Sequence, residues 1–499
     1  MRQWWRRLWG IELKLACLRL ASPGAFAAAV LVATSIVQAQ DSQNTVADSD
    51  ERIGELLQLI KRLEERVQQL ESGAMGDDDF EMSSQPVVPG AAAESPRIAR
   101  SATPDAALTP SEQLDSINGE VRDTNQPLTR DELNSEEFPA SWPMFGTDMR
   151  MKIGGYIKAD FVADFDGTLD PTQFLMRTIP VEGTPEYGGD SYVDAFAKET
   201  RLNFDLRRII PGSVPLRGFI EGDFFSAGDQ FRLRHGYITA GNFTIGQTWT
   251  TLSIMEAIPV MIDFAAGDAL FGGRAAQLRY TKLLNDRWKL SVAAEELQYL
   301  GIQNASNLPG KATSQWPLFA ARADYKYDGG MVAFGGSVGQ LHWDGGSNGP
   351  SDSEVQLAVL MGGRHNLGDK AYATYHFSYS EGAGENIMAF AGTSANAVLD
   401  ADGNLETFPA FAAVLGFGYD WTPTLTTMGS YAYGVLDTPD SRAALELERG
   451  GVGHLNLLWR PNGNKYFSTG AEIMYGKTRV QNGATGDATR LQLMAKFEF

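Results

Sequence analysis

The chain closes on Thr489, Arg490, Leu491, Gln492, Leu493, Met494, Ala495, Lys496, Phe497, Glu498 and Phe499. A period of two puts Leu491, Leu493, Ala495, Phe497 and Phe499 on one side of a strand and Arg490, Gln492, Lys496 and Glu498 on the other. In water such an apolar side is an aggregation hazard, whereas in lipid it is a wall. A strand of this kind predicts a sheet that faces lipid, and its neighbours must repeat the pattern.

They do. From Lys152 onward the sequence is a succession of alternating segments broken by Gly, Asp, Asn and Pro turns. Strands are expected near 152–166, 198–208, 216–225, 230–240, 243–250, 273–283, 287–298, 315–327, 330–343, 354–366, 369–381, 408–421, 425–435, 447–460, 465–480 and 488–499. These make sixteen, an even number as a closed single-chain barrel requires. Within 198–208, Leu202, Phe204 and Leu206 alternate with Arg201, Asn203, Asp205 and Arg207. Turning this strand over would put two arginines into hydrocarbon at about 2–4 kcal/mol each, which fixes charge inward and Leu and Phe outward. The first strand reads likewise, with Ile157, Ala159, Phe161, Ala163 and Phe165 outward and Lys158, Asp160 and Asp164 inward. So does 315–327, with Phe319, Ala321, Ala323, Tyr325 and Tyr327 against Arg322, Asp324 and Lys326. Tyr325, Tyr327, Trp343, Trp421 and Tyr431 fall near strand ends, where interfacial girdles belong. A soluble sandwich or propeller is the structural rival, since alternation alone also makes those.

The amino-terminus favours the barrel. Arg2, Arg6, Arg7, Lys14 and Arg19 precede an apolar run from Ala25 to Val37, and Val37, Gln38 and Ala39 offer a small-residue cleavage site, so residues 1–39 read as an export signal. The run is too short for a spanning helix, which needs about 20 apolar residues. The single Cys17 lies inside the signal, which excludes a disulfide or thiolate metal site in the mature chain. Residues 40–71 read as a periplasmic coiled coil, with Ile53, Ile60 and Val67 at one heptad position and Leu56, Leu63 and Leu70 at another; this composition by itself leans towards two strands. Residues 72–145, rich in Asp, Glu, Ser, Pro and Ala, read as a disordered acidic linker, and residues 146–499 as the barrel. Peptidoglycan or another periplasmic component is a candidate partner for the amino-terminal segment.

The sequence carries 42 Lys+Arg against 62 Asp+Glu, a net −20. No basic patch dominates any segment, which disfavours nucleic acid. Asp77, Asp78 and Asp79 lack EF-hand spacing and read as a solvated charge run, and Asp400, Asp402 and Glu406 around Gly403 fall short of a calcium ligand count. His235, His342, His365, His376 and His454 are too scattered for zinc, and neither a metal nor any other cofactor is expected. Gly335, Gly336, Ser337, Val338 and Gly339 match a nucleophile-elbow pattern, but mid-strand rather than at a strand-to-helix turn. No enzyme is expected.

Two features point to function. Between the fifth and sixth strands, 251–271 holds Leu252, Ile254, Met255, Ala257, Ile258, Val260, Met261, Ile262 and Phe264, interspersed with Glu256, Pro259 and Asp263. A stretch so apolar does not belong in water; it is expected to fold into the pore as a constriction, the alternative being contact with a neighbouring subunit. The long connections 167–197, 299–314 and 382–407 are expected to be extracellular. The inward charges are the second feature. Arg201, Arg207, Arg217, Arg232, Arg234 and Arg279, with Lys158 and Arg322, form a basic stripe that lowers the barrier for anions, since Arg forks receive carboxylates bidentately. Glu199, Asp205, Glu221 and Asp223 lie on the same strands, and mutual salt bridges that merely stiffen the wall are the bland alternative.

The runs Glu199 to Asp205, Ile220 to Phe225, Arg232 to Tyr237 and Ile245 to Thr250, followed by Pro259, Asp263, Phe264, Arg274, Gln277, Leu278, Arg279 and Tyr280, resemble the DcaP-like outer-membrane porins. The terminal Phe499 likewise resembles the signal read by the barrel-insertion machinery of Gram-negative outer membranes. The resemblance implies a homotrimer of sixteen-stranded barrels in outer-membrane lipid, with a periplasmic coiled coil and pores favouring small anionic solutes such as dicarboxylates. A structural or tethering protein with an incidental pore is the alternative function.

Overall fold

The computed structural model describes residues 138, 141–144, 149–208, 214–265, 267–438, 442–461 and 466–499. The export signal, the coiled coil and the linker up to residue 137 lie outside the described residues, whereas Trp142–Pro143, at the linker's end, pair with Arg150 and Met151 of the first barrel strand. Sixteen strands form one antiparallel sheet that closes on itself: β1 (Met149–Asp164), β2 (Tyr192–Phe196 and Arg201–Arg208), β3 (Leu216–Asp223), β4 (Arg232–Ala240), β5 (Phe243–Trp249), β6 (Arg274–Leu283), β7 (Trp288–Glu295), β8 (Leu318–Tyr327), β9 (Gly330–Asp344), β10 (Asp352–Asn366), β11 (Ala371–Glu381), β12 (Pro409–Thr422), β13 (Leu425–Leu436), β14 (Leu447–Trp459), β15 (Phe467–Val480) and β16 (Thr485–Glu498). Each falls on its expected segment. Closure is made by β1 and β16, in register from Tyr156 opposite Glu498 to Asp164 opposite Arg490. Phe499 and Gly155 then exchange backbone hydrogen bonds of 3.1 and 3.3 Å, which ties the carboxy-terminus to the wall.

The outward register is as expected. Ile157, Phe161, Phe165, Leu202, Leu491, Leu493 and Phe497 are all exposed, while Lys158, Asp160, Asp164, Arg490, Gln492 and Lys496 are buried within the barrel. Two details differ. The second strand starts earlier and is interrupted at 197–200, where Thr200 N–H turns back to the Ala197 carbonyl and Glu199 swings in beside Lys158. Trp343 is not a girdle residue: it is buried with Leu341 and Leu399 and donates its indole N–H to Pro309 O at 3.2 Å.

The inner wall is two-sided, which the period of two does not reveal. Along β1 to β8 it is charged, but along β9, β10 and β12 to β15 an apolar patch of Ala333, Ala358, Leu360, Ala410, Ala412, Val414, Ala432, Val452 and Met474 lies among polar residues such as His376, Asn456 and Glu472. Strand β12 is consequently apolar on both faces, since Phe411, Leu415 and Phe417 face outward. The inner apolar half is covered by connections that fold into the barrel. Phe174, Met176 and Ile179 from the loop after β1, and Ile387, Phe390, Val398 and Phe408 from the loop after β11, join that core. Of the long connections expected to be extracellular, 167–197 and 382–407 are thus in part packed against the inner wall. Short strands at Ile302–Gln303, Ala397–Leu399 and Leu405–Thr407 form a small separate sheet that links 299–314 to 382–407.

Candidate functional site

The connection from β5 to β6, residues 250–273, lies inside the barrel and follows the inner wall from β7 round to β1. Inward glycines are its sockets. A Cβ at Gly335 on β9 would come 2.7 Å from Leu252, one at Gly362 on β10 would come 3.1 Å from Ile254 and Ala257, and one at Gly470 on β15 would come 3.0 Å from Ile262. At Gly416 on β12 it would meet Pro259 at 3.1 Å and Met428 at 2.6 Å. Met261 packs with Tyr372 and Met428, and Val260 and Ile262 with Leu458 and Met494. Gly416→Val is therefore expected to overpack the seat, at about 1–3 kcal/mol. Its signature would be faster protease cleavage within 250–273 in the folded barrel; unchanged cleavage would mean that this socket does not hold the loop.

A buried loop needs partners for its backbone. At its root Arg322 Nη1 donates to Thr251 O at 3.0 Å and Ser253 O at 2.7 Å, Arg279 Nη1 donates to Trp249 O at 3.0 Å, and Glu295 accepts Thr251 N–H at 2.6 Å. At its far end Glu472 accepts the N–H groups of Ile262 at 2.6 Å and Asp263 at 3.2 Å, Asn456 donates to Val260 O at 2.9 Å, and Lys158 donates to Ile262 O at 2.7 Å. Lys158 also pairs with Glu199 and Asp160. Asp263 accepts Phe174 N–H at 3.2 Å and Asp268 accepts Met176 N–H at 2.7 Å, which ties this connection to the one after β1. Pro259 is the wall contact at Gly416, and Glu256 sits in a 3-10 turn, Met255–Ala257.

The expected basic residues thus divide by what they touch. Arg322 and Lys158, 1% and 2% exposed, hold loop carbonyls, and Arg279, 0% exposed, holds the last carbonyl of β5. Arg207 and Arg217 share the carboxylate of Asp205 at 2.9 Å each. Arg232 forks onto Asp223 at 2.9 and 2.8 Å, while Arg234 reaches Asp223 at 2.7 Å and Glu221 at 3.2 Å. Arg201 lies 3.9 Å from Glu221 and 5.3 Å from the Tyr156 ring. On the terminal strand Arg490 pairs with Asp164 at 3.0 Å and reaches Asp170 O at 2.6 Å, so it roots the loop after β1.

Some residues at this site escape the alternation. The register of β3 against β4 shifts between Glu221 and Gly222, so that Glu221 opposes His235 while Gly222 opposes Leu233. This bulge turns both Arg234 and His235 inward, where His235 Nδ1 meets Thr248 Oγ1 at 3.0 Å. Across β4, Gly246 has φ 123°, and a Cβ there would come 2.8 Å from Tyr237 Cα, so β5 tolerates only glycine at that point. Trp249 and Arg274, at the end of β5 and the start of β6, face each other at 4.9 Å. Among the described residues Arg274 forms no ion pair, although Arg232, Arg234, Arg201 and Asp223 all act on it electrostatically. Two successive inward residues violate a period of two, and only a pairing partner shows them.

Residues 124–499 match the family described as DcaP outer membrane protein. Among solved structures the chain is similar to the outer membrane channel DcaP of Acinetobacter baumannii, at 22% identity and a TM-score of 0.60, over 70% of this chain and 97% of that one. That likeness concerns the fold. More distant similarities are to an anion-selective porin from Comamonas acidovorans, at 12% identity, a TM-score of 0.48 and coverage of 70% and 100%, and to OmpT of Vibrio cholerae, at 12% identity, a TM-score of 0.45 and coverage of 71% and 99%. Among curated proteins no match is found.

Proposed function

The chain belongs to the DcaP outer membrane protein family, and from that premise we propose that it is a diffusion porin whose water-filled channel prefers small anionic solutes, dicarboxylates among them. One observation carries the preference. Where β2, β3, β4 and β6 meet the inserted connection, the guanidinium groups of Arg201, Arg232, Arg234 and Arg274 gather around Glu221 and Asp223, with Glu199 also acting on Arg201, and Arg274 is left without an ion pair among the described residues. Pairing within the wall explains part of the stripe, as with Arg207 and Arg217 on Asp205, but it does not neutralise this group. A fixed cationic excess in a water-filled passage lowers the barrier for anions and raises it for cations. The connection 250–273 narrows the passage beside it, with Phe264 facing Arg234 at 5.5 Å. In this reading the eight basic residues divide between solute contact and support of the constriction. The proposed assembly is a homotrimer, which the family resemblance implies.

The test is the reversal potential of the full-length protein in a planar bilayer under a potassium chloride gradient. An anion-selective potential is expected, and Arg274→Gln should lower the anion-to-cation permeability ratio roughly fivefold, the equivalent of about 1 kcal/mol for one charge acting through water. A cation-selective potential would overturn the reading in favour of a wall whose charges are structural.

A further inference from the structure

We infer that the anion site carries an aromatic subsite, so that among small anions the channel retains planar aromatic carboxylates over saturated ones of equal charge and size. This rests on the anion reading above, which supplies the partner for the carboxylate; the inference concerns the rest of the solute.

Rings and guanidinium groups alternate along this part of the wall. The Arg274 guanidinium lies 4.9 Å from the Trp249 ring, and Arg234 lies 5.9 Å from Trp249 on one side and 5.5 Å from Phe264 on the other. Phe264 stacks on Phe225 at 4.2 Å with the planes 19° apart, and Arg232 stands 5.7 and 5.9 Å from these two rings. Phe225 meets Phe196 edge-on at 6.4 Å. Trp249, Phe225, Phe264, Arg232 and Arg274 are each half-buried. None of these rings belongs to the apolar core that seats the loops, which has its own phenylalanines, Phe174, Phe390 and Phe408.

The chemistry of such a row is specific. Arg274 forms no ion pair among the described residues, so its planar fork can meet a carboxylate bidentately. A ring attached to that carboxylate is then beside Trp249, with Phe264 next along the row past Arg234. There it gains offset stacking, and a guanidinium above it adds a cation–π contact. An aliphatic anion of the same charge gains the ion pair alone. Because the rings are held by neighbouring guanidinium groups, the subsite is organised before the solute arrives.

Benzoate and cyclohexanecarboxylate separate these contributions, since they share charge and carbon skeleton and differ in the π-face. Single-channel blockades of the full-length protein would be timed for each at equal concentration, with the reversal potential recorded in the same membranes. Benzoate residence is expected to be roughly three- to tenfold longer, and Trp249→Leu and Phe264→Leu should each bring the ratio towards one. Equal residence in an anion-selective channel would overturn the subsite and leave the anion reading standing, as would a ratio unchanged in both variants. A cation-selective reversal potential would remove the anion reading itself and the subsite with it. If one variant fails to insert, the other and the wild-type comparison still decide.

Discussion

Arg322→Ala is expected to release the root of the inserted connection, at on the order of 3–5 kcal/mol, the cost of breaking a buried ion pair from one side. Arg322 serves two masters from a buried position. Its Nη1 satisfies the carbonyls of Thr251 and Ser253, and its Nε pairs with Asp324 at 3.0 Å. Alanine leaves those carbonyls without this donor and leaves Asp324 with Lys289 at 3.6 Å. The barrel itself should persist, because its strands are held by their own ladders, whereas the seat of 250–273 depends on this guanidinium. Single-channel conductance should therefore rise and become noisier, and proteases should cut within 250–273. Arg322→Lys should be intermediate, since a point charge keeps the pairing with Asp324 but lacks the fork that holds two carbonyls. Wild-type conductance and cleavage in Arg322→Ala would show that the loop is seated by its apolar contacts alone.

That dependence explains which parts of the molecule are legible in the sequence. The strands with a charged inner face can be read because lipid on one side and charge on the other force a period of two, and Arg201, Leu202, Asn203 and Phe204 show it within four residues. The insertion of 250–273 is legible as well, because Leu252, Ile254, Val260 and Ile262 have no place in water. The sockets are not. Gly335 looks like part of a false catalytic motif until Leu252 is seen resting on it, and nothing in the sequence marks Gly416 as the seat of Pro259. The apolar inner half is equally hidden, since Ala410, Ala412 and Val414 are inward only relative to loops that arrive from elsewhere in the chain. The basic stripe is visible in the inward positions of the alternating strands. Its division into loop anchors, paired wall charges and the guanidinium of Arg274 depends on distances between strands, and the bulge at Arg234 and His235 depends on register.

Lowering the pH from about 7 to 5 is expected to seat the inserted connection more firmly, through Asp263 and Asp268. Both lie on the connection rather than on a spanning strand, and burial pushes each carboxyl up to about 6. His454 and Arg490 oppose that rise at Asp263 while Glu472 adds to it, and the Ala265 N–H favours the charged form. At Asp268 the Met176 N–H, Arg177 and His454 oppose it and Asp263 adds to it. An unseated loop would return both carboxyls towards the ordinary value of about 3.9. The seated state therefore binds protons that the released state does not between about pH 4 and 6, so its stability rises as pH falls through that window and is flat on either side. Each group contributes on the order of 2 kcal/mol across the window. Open-channel noise and cleavage within 250–273 should accordingly decline between pH 7 and 5. The pair Asp263→Asn and Asp268→Asn keeps an acceptor for the Phe174 and Met176 N–H groups without a charge, so it should show the low-pH behaviour at pH 7. A double variant that retained the full pH response would assign it to His454 and Glu472, which meet at 2.9 Å beneath the same loop.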